Sequence, residues 1–140
     1  MQLIVVFEKN EVTGAYFVAG VADTKGRANK LAAMSLAKGR DYTAYTETYN
    51  FSGSLNRDCY VVYVKDNWTD TGSGSIGRAF GAMYYKGDQP SSEDVKIYKA
   101  EDSARKKMST IVEDIVDPKY AHIKSCRGAC VHIRLNEAVD

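Results

Sequence analysis

The chain has 140 residues, of which 44% are hydrophobic and 26% charged, and its 19 basic and 18 acidic residues give a net charge of +1. This length suits one hydrophobic core, so we predict a single domain spanning residues 1–140. The near-neutral charge excludes nucleic-acid binding by an overall basic surface and leaves that function to a local patch. No apolar run approaches the ~20 residues of a membrane-spanning helix.

The N-terminal stretch MQLIVVFEKNE has no basic segment ahead of its apolar residues, which argues against a signal peptide. The cysteines Cys59, Cys126 and Cys130 are too few for the disulfide framework of a small secreted protein. We therefore expect a cytoplasmic protein that does not associate with membranes and carries no cofactor.

The first elements are a β-hairpin and a helix. The apolar runs LIVVFEK and AYFVAGVA are separated by the turn-forming segment NEVTG, which predicts a hairpin over residues 3–22. Asp23 or Thr24 then caps a helix, and Gly39 lies where its C-terminal cap belongs. The helix has its apolar stripe at Ala28, Leu31, Ala32, Ser35 and Leu36.

The segment DYTAYTETYNF, residues 41–51, is rich in tyrosine and threonine and predicts a long strand. We expect one of its faces to pack in the core, because aromatic side chains favour burial. The alternative is an exposed aromatic stripe that binds a protein or stacks on nucleic-acid bases.

The second half of the chain resembles the first. CYVVYVKDN at 59–67 echoes LIVVFEKN, and VKIYKAED at 95–102 leads into a second helix that ends at Pro118. The apolar stripe of that helix is Ala104, Met108, Ile111, Val112 and Ile115. Strands are predicted at 119–125 and 129–135.

Both halves therefore fit the order hairpin, helix, strand, with an insertion around residues 69–94 in the second. The predicted fold is α+β, with a mainly antiparallel sheet and two helices on one face. The similarity admits two interpretations: a duplicated unit with halves 1–55 and 56–140, or the common physics of short β–α units.

The insertion contains TDTGSGSIGRAFG, in which Gly72, Gly74 and Gly77 have the spacing G-x-G-x-x-G. A dinucleotide site needs these glycines directly after a strand and at the start of a helix. A helix is one interpretation of residues 76–84, because the apolar residues from Ile76 to Tyr84 have helical spacing. Gly77 and Gly81 would destabilise that helix by about 1 kcal/mol each.

We therefore favour a hairpin in the insertion, with strand 59–66, a flexible tip and a strand near 79–86. Such a tip, which we call the finger (residues 69–81), is a candidate partner-binding surface. Its candidate contact residues are Thr71, Gly72, Ser73, Gly74, Ser75, Ile76 and Arg78.

A second hairpin is predicted near the C-terminus, with its turn at residues 127–129 and Gly128 in the turn. Side-chain alternation gives this hairpin a core face and a polar, basic face. The polar face is a candidate nucleic-acid-binding surface. It consists of Tyr120, His122, Lys124, Arg127, His132 and Arg134.

The same face holds Cys126, Cys130 and His132, which form a weak candidate metal site. Their Cys-x₃-Cys spacing lacks the second ligand pair typical of zinc sites, so we predict no metal. A disulfide between the two cysteines is disfavoured in a reducing compartment.

No motif in the sequence indicates catalysis. The G-x-S-x-G and His-Glu-x-x-His patterns are absent, and a Cys–His pair involving His132 would lack a separate oxyanion motif. The sequence favours a non-enzymatic binding module for a protein partner, of the kind common among phage and mobile-element inhibitors of host machinery. The alternatives are nucleic-acid binding through the C-terminal hairpin and nucleotide binding or sequestration at Gly72–Gly77.

Overall fold

The computed structural model describes residues 1–12, 16–64, 75–79, 82–85, 89–111 and 128–139. In chain order the elements are β1 (Gln2–Asn10), β2 (Tyr16–Ala22), α1 (Lys25–Leu36), β3 (Tyr42–Asn50), β4 (Asp58–Val64), β5 (Ser75–Ala79), β6 (Ala82–Tyr85), β7 (Val95–Tyr98), α2 (Glu101–Ile111) and β8 (Gly128–Arg134). Neither helix is long and apolar enough, within these residues, to cross a membrane.

The strands form two three-stranded antiparallel sheets and a separate two-stranded ribbon. Sheet 1 has the order β2-β1-β3, sheet 2 has the order β7-β4-β8, and β5 pairs with β6. In each half the first strand is central, and the strand after the helix returns to pair with it. The prediction of a mainly antiparallel α+β fold is confirmed, and the structure adds that each helix packs on its own sheet.

Helix α1 begins as its sequence predicts, because the Thr24 side chain accepts a hydrogen bond from the Arg27 amide at 3.2 Å. Its buried residues Ala28 and Leu31 pack against Val6 of sheet 1. Leu36 was predicted to join this stripe, but it is exposed. It is the last helical residue and lies about 80° around the helix from Ala28.

The main core lies between the two sheets. Leu3, Val5 and Phe7 on β1 belong to one buried cluster with Cys59 and Val61 on β4. This is why both central strands read as almost continuous apolar runs: one face packs on the other sheet and the opposite face on a helix.

The predicted core face of β3 is confirmed, since Tyr45 and Tyr49 pack against this cluster. The hydroxyl of Tyr49 also accepts a hydrogen bond from the Ile97 amide at 3.1 Å, which ties β3 to β7. Tyr45 donates its hydroxyl hydrogen to the Pro90 carbonyl at 2.7 Å. Tyr49 therefore links the two sheets, and Tyr45 links β3 to the segment that precedes β7.

The predicted turn of the C-terminal hairpin is wrong in its position. Gly128 and Ala129 belong to β8 and pair with Val64 and Tyr63, because the apolar central strand β4 offers this segment a pairing edge. The predicted alternation is confirmed: Ile133 is buried, whereas His132 is exposed. The first predicted strand of that hairpin, with Tyr120, His122, Lys124, Cys126 and Arg127, lies outside the described residues.

The insertion also differs in detail from its prediction. The helix considered over residues 76–84 is wrong, because Gly77 lies in β5 and pairs with Tyr84 of β6. The favoured hairpin, in which strand 59–66 pairs with a strand near 79–86, is also wrong, because β4 pairs with β7 and β8 while β6 pairs with β5. Ser75, Ile76 and Arg78 of the finger lie in β5, whereas Thr71, Gly72, Ser73 and Gly74 lie outside the described residues.

Helix α2 carries the predicted stripe as far as the structure describes it. Ala104 is buried, and Met108 packs against the core. Val112, Ile115 and Pro118 lie outside the described residues.

Candidate binding groove

A concave surface runs between helix α1 and strand β8, and we call it the α1–β8 groove. Its volume is about 990 Å³. Arg27, Lys30 and Met34 line it from α1, and His132 and Arg134 line it from β8. The groove thus combines two residues of the predicted basic face with three that sequence reasoning did not select.

The floor of the groove is the segment that follows β8, residues 136–139, and backbone hydrogen bonds hold it in place. The Asn136 amide donates to the Val21 carbonyl at 2.8 Å, and the Val139 amide donates to the Ala19 carbonyl at 3.0 Å. Asn136 has a φ of 68°, a left-handed conformation that asparagine tolerates better than most residues. Its side-chain oxygen accepts from the Asp23 amide at 3.0 Å.

Helix α1, the other wall of the groove, packs closely on β2 at Gly20. A Cβ atom built on Gly20 would lie 2.8 Å from Leu31 Cδ1 and 3.2 Å from the Glu137 carbonyl oxygen. A larger residue here would displace the Leu31 side chain and crowd the Glu137 carbonyl, so glycine fits best where β2 passes between α1 and the floor segment.

Most basic side chains of the groove already have acidic partners. Arg27 contacts Asp23 at 2.9 Å, and Arg134 lies 4.0 Å from Glu137. Lys30, in contrast, has no ion-pair partner among the described residues. Among the described residues of the predicted basic face, Arg134 thus has a carboxylate beside it, which weakens its attraction for phosphates.

His132 is held on the exposed face of β8 by two contacts. Its Nε2 atom lies 2.9 Å from an Asp58 carboxylate oxygen, and its ring stacks on Tyr60 with centroids 5.1 Å apart and an interplanar angle of 21°. Tyr60 lies directly opposite His132 in the strand register. The imidazole of His132 is thus stacked on the Tyr60 ring and oriented by the Asp58 carboxylate.

Cys130 lies two residues before His132, so the two side chains share a face of β8. Burial raises the pKa of the Cys130 thiol, and the nearby Arg105 guanidinium offsets this only in part. The thiol therefore stays protonated at neutral pH, whereas a Cys–His nucleophile requires a thiolate. No cluster of three metal-ligating side chains occurs in the part of the chain that the structure describes.

The apolar part of the groove centres on Met34. This residue is 52% exposed, and it lines the groove together with the buried Leu31, Val131 of β8 and Val139 of the floor. Leu36 is also 52% exposed on α1, but it does not line the groove. An exposed methionine in a concave site is a flexible apolar contact of the kind that binding surfaces use.

Sequence reasoning missed Arg27, Lys30 and Met34 because α1 is about 100 positions away from β8 in the chain. The sequence contained one local signal for them. Lys30 and Met34 are spaced i, i+4, which places both on one face of α1 beside its buried residues. Comparison of the chain with protein-family models, with curated proteins and with solved structures finds no significant match.

Proposed function

We propose that the protein is a non-enzymatic binding module whose α1–β8 groove receives a segment of a partner protein. The segment would carry apolar side chains that contact Met34 and at least one acidic side chain near Lys30. The observation that carries this proposal is the exposed apolar surface of Met34, set in a groove beside a lysine without an ion-pair partner among the described residues. Apolar anchors with a charged rim are the usual anatomy of a protein–protein contact.

A protein partner fits this surface better than nucleic acid does. Affinity for nucleic acid grows with the number of phosphates that basic side chains neutralise. Arg27 and Arg134 are engaged by Asp23 and Glu137, and the apolar surface at Met34 offers nothing to a phosphate. The stack of Tyr60 and His132 would favour bases, and the dependence of binding on salt separates the two functions.

Replacing Met34 with glutamate is expected to weaken partner binding at least tenfold, about 1.4 kcal/mol, because a charge would replace the apolar contact. The matched control is Leu36→Glu, which changes an equally exposed apolar residue of the same helix outside the groove. We expect this control to bind within about twofold of the unchanged chain. The immobilised full chain would capture the partner from lysate of the source organism, and affinities would be measured with the purified partner.

Three results would contradict the proposal. The first is that the two glutamate variants lose binding equally, and the second is that neither loses it. The third is that binding falls steeply with salt and vanishes on Arg134→Glu, because that behaviour indicates nucleic-acid binding. Shortening the finger distinguishes the groove from the finger as the partner-binding site. A chain lacking residues 69–74 retains partner binding if the groove is the site and loses it if the finger is.

A further inference from the structure

Strand β8 lies at the edge of sheet 2, because β4 is its only strand partner among the described residues. Its residues 131–134 all line the α1–β8 groove. Successive side chains of a strand point to opposite faces of the sheet, so a surface that contacts four successive residues runs along the edge of the strand. The groove therefore follows the backbone edge of β8.

The hydrogen bonds between β8 and β4 show which backbone groups face the groove. The Leu135 amide donates to the Arg57 carbonyl at 2.6 Å, in the same antiparallel register as the β4–β8 pair. Residues of an antiparallel strand alternate between those that exchange hydrogen bonds with the neighbouring strand and those that do not. The odd-numbered residues of β8 thus bond to β4, whereas the backbone amide and carbonyl groups of His132 and Arg134 point away from it.

Two contacts agree with this direction. The Arg134 carbonyl accepts a hydrogen bond from the Glu137 amide at 3.0 Å, which places that carbonyl on the side of the floor segment. The rings of His132 and Tyr60 stack across the strands, as expected for a pair without mutual hydrogen bonds, whose side chains lie closest. Within the described part of the chain, the His132 amide and carbonyl and the Arg134 amide have no hydrogen-bond partner.

The neighbouring edge of sheet 1 is covered, in contrast. Strand β2 contacts β8, and the floor segment, residues 136–139, donates backbone hydrogen bonds to the Val21 and Ala19 carbonyls of β2. An open strand edge offers its unpaired donors and acceptors to another strand, and proteins usually cover or charge such edges. The chain thus covers the edge of β2 with its own backbone, while the groove leaves the edge of β8 open at residues 131–134.

We propose that the partner segment binds in the groove as an added β-strand along β8. This mode of binding rests on the proposed function, because it describes how a partner protein occupies the α1–β8 groove. The backbone of the segment exchanges hydrogen bonds with His132 and accepts one from the Arg134 amide. In strand addition of this kind, main-chain hydrogen bonds supply affinity and alternate side chains supply specificity.

Side-chain alternation also gives the segment a sequence class. Its residues beside Val131 and Ile133 point to the same face of the sheet as those two, toward sheet 1, where Val139 and Met34 line the groove. The residue between them shares the exposed face of His132. The segment therefore has the pattern apolar, polar, apolar, with β-branched residues favoured at the apolar positions.

Short random peptides displayed on phage and selected on the full chain are the probe. We expect the selected peptides to share the apolar, polar, apolar pattern, and the tightest one to bind Met34→Glu at least tenfold more weakly. Each backbone amide of that peptide is then N-methylated in turn, which removes one hydrogen-bond donor. Affinity should fall at least tenfold at every second position of the pattern and by less than about threefold at the positions between. Equal losses at successive positions would overturn strand addition.

His132→Pro and His132→Ala form a matched pair on the chain itself. Both remove the imidazole, but only proline removes the amide hydrogen, and an edge strand tolerates proline where that amide does not serve its own sheet. His132→Pro should therefore bind the peptide at least tenfold more weakly than His132→Ala does. Equal affinities of the two variants would show that the His132 amide is not used and would overturn the proposal.

Amide hydrogen exchange followed by NMR gives a result on the unchanged chain, even if the proline variant folds poorly. Exchange at His132 and Arg134 should slow at least tenfold when the peptide is added. Slow exchange at both amides without peptide would mean that a second copy or another segment of the chain already pairs with β8, which overturns the proposal.

The same peptides separate the two proposals. Peptides that depend on Met34 but neither alternate in their response to N-methylation nor protect the two amides would overturn strand addition and leave the binding module standing. If no selected peptide is sensitive to Met34→Glu, the binding-module proposal itself fails.

Discussion

Replacing Phe7 with alanine is expected to lower the free energy of unfolding by about 3–5 kcal/mol. Phe7 is fully buried on the central strand β1, in the core that the two sheets share. Its ring stacks on Tyr45 of β3 with centroids 5.2 Å apart and an interplanar angle of 17°. The substitution removes the buried area, the stacking contact and the packing of both sheets at once. Urea unfolding followed by circular dichroism measures the change.

Phe7→Leu is the matched control, because it keeps an apolar side chain of similar reach without the ring. We expect it to cost about 1–1.5 kcal/mol, so a loss is measurable even if the alanine variant does not fold. A cost below 1 kcal/mol for Phe7→Ala would contradict a shared core between the sheets.

Alkaline pH is expected to destabilise the protein through Cys59. Burial in the core, together with a smaller effect of the neighbouring Asp58 carboxylate, raises the pKa of this thiol from its ordinary value of 9.0 to about 12. Above pH 9 the unfolded chain releases this proton and the folded chain keeps it. The contribution of Cys59 is therefore complete below pH 9 and is lost as pH rises toward 12, at about 1.4 kcal/mol per pH unit.

The variant Cys59→Ala isolates this contribution. The unchanged chain loses the Cys59 contribution above pH 9 and the variant does not. The difference in free energy of unfolding between the two chains should therefore shrink by about 1.4 kcal/mol per pH unit, as measured by urea unfolding at several pH values. Tyr63, whose pKa burial also raises, is retained in both chains and cancels in the difference. A difference that stays constant from pH 8 to pH 11 would show that Cys59 is not buried as described.

Local patterns in the sequence predict much of this fold. The capping threonine and the stripe at Ala28 and Leu31 specify α1, and the apolar runs of β1 and β4 specify two central strands. The division into two sheets was not predictable in this way, because periodicity shows that a strand is buried but not which strand covers it. The prediction of a turn at Gly128 was wrong because a local pattern does not show long-range pairing. Here the pairing of β8 with β4 overrides the local turn signal.

The candidate site was less predictable than the fold. His132 and Arg134 were selected because alternation along one strand places them on one face. Met34 and Lys30 come from a helix in the other half of the chain, and only the packing of α1 beside β8 brings them into the same groove.

Site-specific photo-crosslinking can show whether the partner protein lies in the α1–β8 groove. A photoreactive benzoylphenylalanine is introduced in separate chains in place of Met34, Leu36 or Ile76, and each chain is irradiated with the captured partner. We expect a covalent product from the Met34 position and none from the other two. A product from the Ile76 position, with none from Met34, would place the partner on the finger and contradict binding in the α1–β8 groove.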